Sequence, residues 1–293
     1  MKNVLIYGVA LIVLSGFTLK PALVPTDEIM SGGPPKDGIP SLTYPKMETS
    51  ESAGTWLKPR DELIGIRING LARAYPLRIL NWHEVVNDRI GSRKVVITYC
   101  PLCGSGVAFD SDDQFGVSGL LYQSDVLLYD RKTESLWSQL RAQAITGPRM
   151  GERLKSMPIE HTNWEDWSQR HPETQVLSRH TGHQRDYGRD PYGSYRKTPE
   201  IFFPVTNHDK RLSAKAWVIG LSMDGKAKAW DIAALRKSGE LKENWNGKRL
   251  IVRFHPSGNR AEIIDATTGE KLPAISLYWF AWAAFHPETE LYY

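Results

Sequence analysis

The chain has 293 residues, 41% hydrophobic and 10% aromatic, enough to bury a sizeable core in one large domain or two small ones. Its 37 basic and 33 acidic residues leave a net charge of +4 without any long basic run, which argues against nucleic acid as a partner. No Gly-x-Ser-x-Gly, Walker loop or dinucleotide fingerprint occurs, so no nucleotide cofactor is expected.

Lys2 precedes 16 uncharged residues, Val4–Leu19. This predicts a signal peptide or N-terminal membrane anchor over residues 1–22 and an exported protein, on the periplasmic or extracellular face, with contact to the membrane only through that segment. No cysteine follows it, so a lipoprotein anchor is excluded. Ser31–Pro45 is crowded with turn formers and reads as a linker or an extended strap.

From Leu63 the pattern becomes regular. A hairpin turns at Asn69-Gly70, and a short helix carries His83 with Glu84 beside it. Val95–Tyr99, β-branched and aromatic, predicts a strand ending at Cys100, with a tight turn through Pro101, Cys103 and Gly104. Residues 111–150 alternate like strands and carry the polar cluster Asp125, Asp130, Arg131, Glu134 and Trp137. A Trp-rich helix then runs into His171-Pro172, where proline stops it. The connector 181–216 opens beside His180 and His183, which read as solvated, and contains Tyr187 and Tyr192 among arginines and turn residues.

Much of this recurs. Ile64, Gly65, Gly70, Ala72, Ala74 and Leu80 return 155 residues later as Ile219, Gly220, Gly225, Ala227, Ala229 and Leu235. Trp164, Trp167 and His171 return as Trp279, Trp282 and His286. The expected fold is therefore α+β, predominantly antiparallel β with short helices, in two pseudo-symmetric repeats forming one globular unit. The expected organisation is a single duplicated domain over 31–293: repeat one about 63–180 with insert 111–150, connector 181–216, and repeat two 217–293. Cys100, Cys103 and His83 align with His255, Gly258 and Ser238, so the thiols and the imidazole are not what the fold requires. They are expected to share one pocket.

Three readings of the cysteine pair stay open. Cys100 and Cys103 form a redox dithiol, with His83 as base or proton shuttle. Alternatively they bind copper or zinc with His83 or His255. The bland reading is a structural staple. Asp125, Arg131, Glu134, Trp137, Tyr187 and Tyr192 are expected to line a ligand groove, which would suit a non-catalytic binding module.

The stretches GGPPKDGIP, RAYPLRILNWHEVVND, TYCPLCGSGVAFD, FGVSGLLYQSDVLLYDRKTESLWSQ, DYGRDPYGSY and FAWAAFHPETELY together resemble a bacterial and archaeal family, domain of unknown function 3179. The resemblance runs from about residue 31 to the end and implies that Ser31–Pro45 belongs to the domain. It brings no activity. Its pattern covers Cys100, Cys103 and His83, but not His180 or His183. Some members are labelled selenoproteins, and a selenocysteine in the Cys-x-x-Cys would favour redox or soft-metal chemistry over a staple.

Overall fold

Hydrophobic alternation and two-residue turns dominate the chain, and they produce sheets. The computed structural model describes residues 16–17 and 19–293, which contain 22 strands and six short α-helices. Most of the leader expected over 1–22 lies outside the described residues. Among the described residues no helix is long and apolar enough to cross a membrane.

The strands form five sheets, arranged as a five-bladed β-propeller. An insert blade holds Ile29–Ser31, Phe115–Tyr122, Asp125–Asp130, Leu136–Ser138 and Gln143–Ala144, side by side. A cysteine blade holds Lys155–Met157, Ser105–Asp110, Arg93–Cys100, Val85–Ile90 and Leu42–Thr43. The first hairpin blade holds Glu160–Asn163, Glu62–Ile68, Leu71–Pro76, Gln175–Leu177 and Met47–Thr49. A second hairpin blade holds Ile275–Tyr278, Trp217–Met223, Lys226–Asp231 and Glu290–Tyr292. The fifth is a three-stranded blade of Glu240–Trp245, Lys248–His255 and Arg260–Asp265.

This corrects the α+β expectation of two pseudo-symmetric repeats in one unit. The stretches that match in sequence share local pairings, a hairpin, a short helix and a three-strand meander. Neither stretch closes on itself. Residues 62–177 are dealt to three blades and 217–292 to two, because each hairpin pairs with the strand that follows its Trp-rich helix while the meander forms a separate sheet. The insert builds most of a further blade and recruits Ile29–Ser31 to its edge. Contacts between blades run crosswise in sequence: Ile275–Tyr278 lies against Ser105–Asp110, and Glu160–Asn163 against Arg260–Asp265.

Local chemistry explains the recurring residues. Asn69-Gly70 and Asp224-Gly225 all have positive φ, as a two-residue hairpin turn demands. Gly65 leaves room for the ring of Trp167, where an added Cβ would come within 2.3 Å of the indole. Gly220 does the same for Trp282, at 2.4 Å. Each indole N–H then donates to the threonine of the following His-Pro-Glu-Thr, Trp167 to Thr174 and Trp282 to Thr289, both at 2.9 Å. The tryptophans are mostly core: Trp137, Trp167, Trp230 and Trp279 are fully buried, each stabilising the fold by about 2–3 kcal/mol of apolar transfer.

Candidate functional site

The strand Arg93–Cys100 ends where its β-branched run ends, and residues 101–104 turn the chain back into Ser105–Asp110. Gly104 has φ +66°, and a Cβ there would meet the ring of Trp217 at 2.9 Å. Cys100 and Cys103 are therefore brought to one side of a tight turn. Both are free thiols and both are buried.

What they face comes from the insert. Phe115–Tyr122 and Asp125–Asp130 are joined by Gln123 and Ser124, both with positive φ, an uncommon conformation for side-chain-bearing residues. This turn aims the Ser124 carbonyl at the thiols, accepting from Cys103 Sγ at 3.4 Å and Cys100 Sγ at 3.8 Å. The next residue, Asp125, is fully buried. Its Oδ2 accepts from the Leu140 N–H at 3.1 Å, while Oδ1 has no hydrogen-bond partner. Ligand atoms of Cys100, Cys103 and Asp125 all lie within 4.8 Å of one another.

A second carboxyl acts on this set. Glu84 caps the helix Leu77–His83 in a left-handed conformation, φ 56°, which turns it away from the direction of His83. It accepts a hydrogen bond from the Tyr192 hydroxyl at 3.3 Å. Burial pushes Glu84 up to about 8 and Asp125 up to about 7. Burial also raises both thiols, with the two carboxylates adding to the rise at Cys100. Neither Glu84 nor Asp125 makes an ion pair among the described residues. The Tyr195 hydroxyl donates to the Leu102 carbonyl at 2.9 Å and packs over the turn.

The other predicted site residues fall elsewhere. His83 does not join the thiols: its Nδ1 meets the Pro40 carbonyl at 2.7 Å and its Nε2 the Tyr187 hydroxyl at 2.6 Å. Burial lowers its pKa to about 4, so it is a neutral core histidine tying the 31–45 strap to the connector. His255 pairs with Glu262 at 2.8 Å in the three-stranded blade. The six groove candidates do not line one groove. Asp125 and Tyr192 join the cysteines, and Tyr187 joins His83. Arg131 pairs with Asp37 at 3.2 Å, and Glu134 with Lys36. Trp137 is core, donating to Asp130 at 3.0 Å and meeting Phe115 edge-on. His180 and His183 are exposed. Both thiols are buried, Cys100 1% and Cys103 0% exposed, and His83 is not beside them as expected. Sequence reasoning missed Glu84 as a member, though it named it as the neighbour of His83. It missed Ser124 and Tyr195 outright, and only the Gln-Ser pair between two alternating strands could have flagged the former.

The set offers two sulfurs and a carboxylate oxygen, a donor combination suited to zinc. Neither a curated protein nor a solved structure was found to match the chain. A family model described as "protein of unknown function (DUF3179)" matches residues 36–289, nearly its whole length, and the chain belongs to that family.

Proposed function

We propose that this is a metal-binding protein, and that Cys100, Cys103 and Asp125 take one zinc ion. The observation that carries the reading is the convergence of two thiols and a buried carboxylate that has an unpartnered oxygen and no ion pair among the described residues. An unpaired buried carboxylate is costly, and a divalent cation is the simplest group that would satisfy all three residues at once. Asp125 favours zinc over cuprous ion, because cuprous ion prefers an all-sulfur environment. Three protein ligands would leave a fourth position for water or a ligand, and Glu84 stands near enough to act on the site electrostatically. A redox dithiol is the weaker reading. Burial raises both thiols, which disfavours the thiolate that a redox dithiol needs. The leader sequence supports an exported protein, testable with a reporter fusion that reads which side of the membrane the domain reaches.

The deciding experiment is metal analysis of protein purified under reducing, chelator-free conditions, with a thiol titration on the same sample. About one zinc per chain is expected, with thiols that react only after a chelator is added, and loss of the metal in Asp125→Ala. Metal-free protein that cycles a Cys100–Cys103 disulfide with a mild thiol reductant would overturn the proposal.

A further inference from the structure

A cleft of about 770 Å³ opens beside the Glu160–Asn163 strand, the start of the Trp217–Met223 strand and the 256–259 turn. Neither cysteine lines it. Its size falls in the range of sites for small molecules.

The charges in the cleft do not balance. Arg60, Lys215 and Arg236 line it, and none is ion-paired among the described residues. The Lys215 ammonium donates to the carbonyls of Tyr195, at 2.5 Å, and Thr198, at 2.9 Å. Arg236 donates to Asn259 Oδ1 at 2.7 Å. Arg60 makes neither a hydrogen bond nor an ion pair among the described residues. The acidic lining is mostly committed. Glu62 is paired with Arg196 at 3.1 Å, and Asp231 accepts from the N–H groups of Ala233 and Ala234. With the Glu62 charge met by Arg196, the cleft sets three cations against Asp231 and Glu165, one positive charge in excess.

His161 also lines the cleft, its side chain 9% exposed. Neither ring nitrogen has a hydrogen-bond partner, and Glu62 Oε1 lies 3.8 Å from Nε2, too far for a bond. A second void beside the ring is only about 10 Å³, room for at most one water. One of the two nitrogens therefore still lacks a partner. Burial keeps the imidazole neutral, so one nitrogen carries a donor N–H. Trp217, 5.1 Å from His161 between ring centroids, together with Ile232 and Ala261 gives the cleft an apolar wall.

We propose that this cleft binds a small organic carboxylate, its negative head met by Arg60, Lys215 and His161 and its flat or apolar body laid against Trp217. Neither cysteine lines the cleft, and the carboxylate reading does not rest on the zinc reading, although Trp217 also packs over Gly104.

The test uses the full chain and three probes of one shape: benzoate, benzyl alcohol and benzylamine, followed by ligand-observed NMR and by tryptophan fluorescence. Benzoate is expected to bind, and its neutral and cationic analogues to bind at least about tenfold more weakly, since each lacks the charge-assisted contacts. Arg60→Gln, at an exposed position where misfolding is not expected, should weaken benzoate by about tenfold. His161→Phe should do the same if it melts like the parent. Failure of benzoate to bind, equal binding of benzyl alcohol, or unchanged affinity in Arg60→Gln would each overturn the proposal.

Discussion

Glu262 sits at the centre of an ion cluster in the three-stranded blade, whose Arg260 and Lys271 also reach Glu160 of the first hairpin blade. Its carboxylate meets Lys271 at 2.7 Å, His255 at 2.8 Å and Arg260 at 3.3 Å. Burial alone would raise its pKa. The three partners override burial and hold it at about 2, against an ordinary 4.5. A difference of that size corresponds to about 3 kcal/mol at 1.36 kcal/mol per unit. Because the folded pKa is the lower one, this stability is fully present above about pH 4.5 and lost as pH falls toward 2. Glu262→Gln keeps the shape and removes the charge. Arg260 is not orphaned by the change, since Asp166 at 3.3 Å and Glu160 at 3.5 Å remain beside it. Urea unfolding followed by tryptophan fluorescence should therefore show the variant about 3 kcal/mol less stable at pH 7, with roughly half that deficit or less at pH 3. A deficit equal at both pH values would refute the electrostatic account and leave only a loss of packing.

Gly65→Ala should cost at least about 2 kcal/mol in the same assay, because the new methyl must displace the Trp167 ring, and adding Trp167→Phe should recover part of the loss. NMR titration should find His83 neutral until about pH 4; since its folded pKa lies below the unfolded value near 6.5, its contribution declines as pH drops between those two, and His83→Gln should flatten that part of the stability profile. Removing the proposed zinc with a chelator should lower the melting temperature, by an amount equivalent to about 2.7 kcal/mol where free zinc had stood at a hundred times its dissociation constant, and Asp125→Ala should be insensitive to the chelator. No change in the parent would contradict zinc binding.

What could be read from the sequence was local. The turn pairs Asn69-Gly70 and Asp224-Gly225, the strand ending at Cys100 and the helices stopped at His171-Pro172 and His286-Pro287 each depend on a few adjacent residues, and the structure places each of them so. The number of sheets was not readable, because pairing such as Gln175–Leu177 alongside Arg73 and Ala74 is fixed by distant packing rather than by pattern. The partner of the cysteines illustrates the same limit on the scale of one residue. His83 and Glu84 are adjacent, and a left-handed cap at Glu84 decides which of them turns toward the thiols. Asp125 could be named as a polar insert residue, but its meeting with Cys100 depends on how the whole insert blade is docked.

The crosswise contacts have a consequence for synthesis. The Cys103 carbonyl accepts from the Tyr278 N–H at 2.9 Å, and Trp217 and Tyr278 pack over Gly104. The turn that holds the thiols is thus finished by residues more than a hundred positions later. The last cover over that turn is placed only after Ile275–Tyr278 has emerged, and such long-range closure is slow. In that interval the thiols are less covered than in the finished fold, so the proposed zinc would reach them most readily before the turn is closed.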